Sequence, residues 1–240
     1  MDWFKDWFNS KYYHILYKDR DEQEAIFFLN KIIKHIKLKK GKVLDIACGK
    51  GRHAKHLNEI GFNVTAFDLS KNSIDQAKKH ENKNLKFHIH DMRDVFKENT
   101  FDLATNLFTS FGYFKNQKDE QKAINAMAQN LKNEGILIID FMNVKKVINS
   151  LIPLENKTID NINFNLKRKV DQNHIIKKIK ISYKQTSAEF KEKVRILTLI
   201  DFNKMLEKAN MKIIDVFGDY SLNNFHAINS DRLIIVAKKQ

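Results

Sequence analysis

The sequence predicts an α/β fold: a doubly wound, mainly parallel sheet carrying an inserted antiparallel β-meander. Short apolar runs at 43–47, 63–67, 85–89, 101–107 and 136–141 alternate with helical stretches at 53–60, 70–80 and 119–131, which is the rhythm of right-handed βαβ crossovers. After Pro153 the hydrophobic period switches to two, as an antiparallel sheet requires. The length of 240 residues suits one large α/β unit with a smaller elaboration.

Taken in order, residues 2–18 place Trp3 and Trp7, and Phe4 and Phe8, four apart, so they read as a helical segment with one aromatic face. Ala25, Phe28, Leu29, Ile32, Ile33 and Ile36 form the apolar stripe of a helix over 21–37, with Gly41 as its stop. The alternating strands and helices follow. Between 159 and 200 the apolar positions alternate: Phe164 and Leu166, then Ile175, Ile179 and Ile181, then Val194 and Ile196. Residues 171–174 form the first turn of this meander. Asp201 is the expected cap of a short helix to Ala209, and strands at 211–217 and 233–238 close the chain. The expected organisation is an N-terminal aromatic segment (1–20), a main domain (21–153 and 201–240) and an inserted β subdomain (154–200).

Composition excludes several classes. Hydrophobic residues make up 42% of the chain, including 18 Phe, which is enough to build a core and incompatible with wholesale disorder. Seven Gly, one Pro and one Cys rule out a collagenous or disulfide-built chain. No run approaches the length of a membrane span, and Met1-Asp2-Trp3-Phe4 lacks a signal-peptide layout, so the expected address is the cytoplasm. The net charge of +14 invites a nucleic-acid partner. Against that, only six of the 43 basic residues are Arg, the fork that usually reads phosphates and bases, and Ile and Asn abound beside Lys, as an A/T-rich coding bias would produce.

The most informative segment is Val43-Leu44-Asp45-Ile46-Ala47-Cys48-Gly49-Lys50-Gly51-Arg52-His53, a strand running through a small-residue turn into a helix. Small residues there let a ligand approach the backbone beside the free N–H groups of a helix start. Seventeen positions after Gly51, at the end of the next strand, Asp68 can accept both hydroxyls of a ribose. Residues 49–54 also satisfy the dinucleotide pattern G-x-G-x-x-G/A, a weak signal alone. Asp45 discriminates: a carboxylate in the turn repels a pyrophosphate but holds the ammonium of a sulfonium-bearing amino acid, which favours S-adenosylmethionine over NAD. The structural alternative is an Asp that caps the turn or the helix start.

Asp45-x-x-x-Gly49-x-Gly51 followed by Asp68 resembles the first two motifs of the class I S-adenosylmethionine-dependent methyltransferases. His90-Asp91-Met92-Arg93 sits where that family closes over adenine, and 101–108 resembles its fourth strand and the motif after it. The resemblance covers 25–143, and 201–240 by topology. It implies a seven-stranded sheet with an antiparallel last strand, S-adenosylmethionine as cofactor and S-adenosylhomocysteine as product. It implies cofactor contacts from Asp45, Ala47, Gly49, Gly51, Arg52, Asp68, Leu69, Asp91, Met92 and Asn106. Two departures carry information. Ala47 stands where the family often has Gly, which is tolerable if its φ stays negative. The chain also lacks the Asn/Asp-Pro-Pro-aromatic box of base amino-methylating relatives, and its lone Cys48 lies inside the cofactor turn rather than at a nucleophile position. The expected reaction is methyl transfer to N or O of a small molecule; the alternatives are an RNA methyltransferase and a cofactor-binding protein without catalysis.

An acceptor would bind beyond the carboxyl ends of the strands, where Asn106, Tyr113, Asn143, Asp219 and Tyr220 are expected. The aromatic N-terminal segment would add Tyr13, His14, Tyr17 and Arg20 as a lid, or would simply pack on the core. Four groups are candidate bases, His14, Tyr113, Asp219 and His226, and no spacing singles one out. His53 and His56 share a helix face without a completing ligand, so no metal is expected. Residues 165–195 carry ten basic side chains against three acidic ones, a net +7. Lys178, Lys180 and Lys184 are expected on one strand face, either as a platform for an anionic acceptor or, the favoured reading, as a solvated, Lys-protected surface.

Overall fold

Near-continuous apolar runs become the inner strands of a sheet buried on both sides, because alternate residues must each find a core. The computed structural model describes residues 3–18 and 22–240. Strands β1 (Lys42–Ile46), β2 (Asn63–Asp68), β3 (Leu85–Ile89), β4 (Phe101–Asn106) and β5 (Leu131–Met142) are parallel, and β10 (Met211–Phe217) and β11 (Arg232–Lys239) complete the sheet. The order is β10-β11-β5-β4-β1-β2-β3, with β11 antiparallel to both of its neighbours. On one side α3 (Glu22–His35), α4 (Arg52–Glu59) and α5 (Lys71–Ala77) cover Val43, Val64 and Phe87. On the other, α6 (Gln117–Asn130) and α8 (Leu199–Lys208) cover Leu44, Ile139 and Phe141. A short helix, α7 (Val144–Asn149), follows β5 and was not expected.

The helix starts show which polar side chains punctuate the chain. Ser70 caps α5, Asn116 caps α6, and Thr198 caps α8 with Asp201 reaching back in a capping box. Asp201 is therefore the third helical residue and not the cap. Helix α3 stops at His35, with Lys37 left-handed; Gly41 instead opens β1, where a Cβ would lie 2.8 Å from Asp102 Oδ2. The turn after β1 places Ala47, Gly49 and Gly51 at φ of 59°, 56° and 83°. Ala47 thus departs from the negative φ expected of it, because the chain must reverse directly after Ile46 to bring Gly49 back to Asp68.

The inserted sheet comprises β6 (Leu154–Ile159), β7 (Ile162–Asp171), β8 (His174–Tyr183) and β9 (Thr186–Arg195), all antiparallel in that order. It begins at Leu154, five residues before the alternation is legible. One face holds Ile162, Phe164, Leu166, Ile179 and Ile181, and against it pack helices α1 (Trp3–Phe8) and α2 (Lys11–Leu16) through the fully buried Trp7. The other face carries lysines in register: Lys167 lies opposite Lys178, and Lys178 opposite Lys191. Lys184 is not on this face; it sits left-handed in the β8–β9 turn. Among the described residues no helix is long and apolar enough to cross a membrane. The expected side chain of Arg20 lies outside the described residues.

Two stability outcomes follow from these positions. A left-handed non-glycine residue costs roughly 1–2 kcal/mol, of which glycine's extra unfolded-state freedom returns about 0.4–1. Ala47→Gly is therefore expected to raise Tm by about 1–4 °C, and a fall in Tm would contradict the strain. Like charges directly opposite one another destabilise a sheet, so Lys178→Glu, placed between Lys167 and Lys191, should stabilise by about 0.5 kcal/mol at low salt. That gain should fade in high salt.

Candidate active site

Beyond the carboxyl ends of β1, β2 and β4 lies a cavity of about 420 Å³. Its floor is the β1–α4 turn. Gly49 N–H donates to Asp68 Oδ2 (2.8 Å), and Ser70 N–H donates to Oδ1 (2.8 Å), so the turn is tied to the end of β2. Each carboxylate oxygen keeps a second lone pair for a ligand hydroxyl. Gly51 cannot carry a side chain, since a Cβ would stand 2.5 Å from the Phe87 ring.

Asp45 is 1% exposed and lines the same cavity. The parallel pairing of β1 with β4 sets it beside Thr105, whose hydroxyl donates to Oδ1 (2.9 Å). Oδ2 has no hydrogen-bond partner among the described residues. Burial, reinforced by the nearby Asp68 carboxylate and opposed by the Thr105 hydrogen bond, pushes its pKa up to about 7. The N-cap position of α4 is Gly51, and the Ala54 N–H in the first turn of that helix also acts on the Asp45 carboxylate, holding its pKa down, so part of the helix-start role expected of Asp45 is present. A buried carboxylate oxygen without a donor is a site for a cation, and an ammonium fits it.

Arg52, Leu69, Asp91 and Met92 also line the cavity. Arg52 stacks its guanidinium on the Phe108 ring at 4.2 Å. Asp91 is gripped by Arg93, which donates to both carboxylate oxygens and also reaches Asp119. Asn106 is fully buried beneath the wall, donating to Ile46 O (3.2 Å), and its side chain does not line the cavity.

The opposite wall is the loop after β4, where Phe108 and Thr109 are both left-handed. Such a conformation persists only when its surroundings over-determine it. Asp140 on β5 does so: its Oδ2 accepts from Phe108 N–H (2.8 Å) and from Tyr220 Oη (3.0 Å), while Arg232 bridges Asp140 Oδ1 (2.7 Å) and Thr109 Oγ1 (3.0 Å). The far end of the loop is held by Arg195, whose N–H donates to Gly112 O (2.8 Å) and whose guanidinium lies 3.1 Å from the buried Glu120 carboxylate. Burial raises the pKa of Glu120 to about 7 against the pull of Arg195. Phe108, Ser110 and Tyr113 face the cavity from this loop, and Tyr113 donates its hydroxyl to Thr109 O.

The third wall comes from the N-terminal helices, with Phe8, Tyr13, His14 and Tyr17 lining the cavity. Glu192 on β9 fixes them: Oε1 accepts from Trp7 Nε1 and Tyr17 Oη, both at 2.7 Å, and Oε2 accepts from Lys177 at 3.1 Å. On the other side Ser70 Oγ donates to Asn9 Oδ1 (2.6 Å), and Phe8 meets Tyr113 edge-on.

The remaining expected residues lie elsewhere. Asn143 donates to Ala227 O and Ser230 O, Asp219 accepts from Ser221 and Asn223 in its own turn, and Tyr220 serves the Asp140 network; none lines the cavity. His226 is exposed and also outside it. His53 lines the cavity while His56 pairs with Asn30. Sequence reasoning missed Thr105, Asp140 and Arg232. Asp140 left a signal, a lone carboxylate in the apolar run Ile136–Phe141; Thr105 left none.

Residues 43–135 match the protein family described as "Methyltransferase domain". Over 104 residues the chain is 36% identical to a putative methyltransferase of Bacillus subtilis, covering 42% of each protein. Over 123 residues it is 26% identical to a dTDP-3-amino-3,6-dideoxy-α-D-glucopyranose N,N-dimethyltransferase of Streptomyces fradiae, covering 51% of this chain and 48% of that protein. The chain thus spans less than half the length of these two curated relatives. A crystal structure of an S-adenosylmethionine-dependent methyltransferase from Clostridium acetobutylicum superposes with a TM-score of 0.81 at 21% identity, over 95% of this chain and 96% of that one. Residues 43–135 thus carry a methyltransferase domain, set in a fold shared with S-adenosylmethionine-dependent methyltransferases.

Proposed function

We propose that this protein transfers the methyl group of S-adenosylmethionine to N or O of a small molecule enclosed between the β4 loop and the N-terminal helices. The observation that carries the reading is Asp45: a buried carboxylate with one oxygen lacking a donor, in the same cavity as Asp68 and above a left-handed turn. Asp45 would hold the cofactor's ammonium, Asp68 its ribose hydroxyls, and Asp91 and Met92 its adenine. When bound, the cofactor supplies the electrophilic methyl group.

What the chain's own residues do is align and dry the site. Rings from Phe8, Tyr13, Tyr17, Phe108 and Tyr113 wall the acceptor side, and the N-terminal helices act as a lid that excludes water. A proton leaves the acceptor only if its attacking atom carries one; His14 and Tyr113 are the expected candidate bases that line the cavity. The S. fradiae relative is named for an amino-sugar nucleotide, which supports a small acceptor. The inner face of the meander is occupied by α1 and α2, so its outer lysines do not feed the cavity and lend no support to a methylated RNA.

Titration calorimetry tests the reading: S-adenosylmethionine should bind and NAD should not. Asp45 must be ionised to hold an ammonium, and in the free protein it titrates near pH 7. Below that pH the affinity should climb about tenfold per pH unit, with release of a proton, and it should level off above it. Asp45→Asn should weaken binding about tenfold or more and flatten that slope. Comparable NAD affinity, or an unchanged slope in the variant, would contradict the assignment.

A further inference from the structure

The net charge of +14 is unevenly placed, and strand register shows where it concentrates. Basic side chains facing the lid and the core are paired: Arg168 with Glu155 (2.6 Å), Lys177 with Glu192 (3.1 Å) and Arg195 with Glu120 (3.1 Å). On the outer face of the inserted sheet, Lys180 meets Glu189 at 3.8 Å and Lys169 meets Asp171 at 3.6 Å. Lys167, Lys178, Lys191 and Lys193 have no carboxylate within 4.0 Å among the described residues. Three of these four form the row across β7, β8 and β9, and all three are exposed.

We propose that this outer face is a binding surface for the phosphate backbone of a nucleic acid. A coding bias would multiply lysines throughout the chain, but it would not set three ammonium groups directly opposite one another on one sheet face. The row spans two strand spacings, about 10 Å, which is too wide for a single phosphate or carboxylate to neutralise and suits a ligand with repeating charges. Next to it on the same face are Asn165 and the Lys180–Glu189 pair, and farther along Asn156, Asn163, Ser182 and Ser187 add hydrogen-bonding groups that suit phosphate and sugar oxygens. Of the large apolar side chains beside the row, Ile176 is buried and Leu154 is exposed, a poor anchor for a bilayer. No aromatic ring joins the row, so contact is with phosphates and not with bases, and binding does not depend on sequence. The face points away from the lid, so this nucleic acid is a tether and not the methyl acceptor; the inference stands independently of the transfer reaction.

Fluorescence anisotropy with a labelled, mixed-sequence single-stranded RNA oligonucleotide tests it on the full chain. Binding is expected at low salt, with log K falling against log salt by about 0.7 per phosphate neutralised, hence a slope of roughly −2 to −3. Lys167→Glu, Lys178→Glu and Lys191→Glu together should weaken binding at least tenfold and flatten the slope. The reversal of Lys39, Lys40 and Lys83 to Glu, all exposed and elsewhere on the molecule, makes the same change in net charge and should leave affinity within about threefold. Equal losses in the two variants would show general attraction to a basic protein and overturn the surface. Absence of binding at low salt would overturn it as well, as would association with phosphatidylserine vesicles but not with RNA.

Discussion

The site depends on one buried carboxylate. Asp45 sits where β1 ends, in a position that costs several kcal/mol to hold charged unless it is matched. The chain matches only half of it. Parallel register against β4 delivers the Thr105 hydroxyl to one oxygen and leaves the other buried without a hydrogen-bond partner among the described residues, in a residue that lines the cavity. The left-handed turn that follows brings Gly49 back to Asp68 and so forms the floor of the cavity beside it. A pKa near 7 is the consequence, and a ligand ammonium is the natural compensation.

The acceptor side is organised by charges of a different kind. Asp140–Arg232 and Glu120–Arg195 are ion pairs with a buried carboxylate, and they grip the two ends of one loop. Removing one partner of such a pair strands the other in a low dielectric, so the clamp is intolerant of change even though neither pair does chemistry. Glu192 plays the corresponding part for the N-terminal helices, gathering Trp7, Tyr17 and Lys177 around one carboxylate. The inserted sheet thereby supports two walls of the cavity at once, the lid through Glu192 and the loop through Arg195.

Much of the fold is legible in the sequence because the relevant signals are local. Asp45, Gly49 and Gly51 fall within seven residues, and the period change after Pro153 announces the inserted sheet. What was illegible depends on register between distant segments. Thr105 meets Asp45 across sixty residues, and Glu192 meets Trp7 across 185. The lysine row exists only because two hairpin turns align Lys167, Lys178 and Lys191; composition shows that lysines are many, not that they face one another. Asn143, Asp219 and Tyr220 stand near the expected sheet edge, but their polar atoms are consumed by backbone and by Asp140. Sequence position gives the edge of a sheet more readily than the direction of a side chain.

In the proposed reaction Asp45 and Asp68 together read an amino-acid-bearing nucleoside. A crystal structure with S-adenosylhomocysteine tests it most directly. The ligand's ammonium should lie beside Asp45 Oδ2, its ribose hydroxyls on Asp68, and its sulfur toward the chamber walled by Phe8 and Tyr113. A ligand bound with its amino group away from Asp45, or a cavity that instead takes a pyrophosphate, would contradict it.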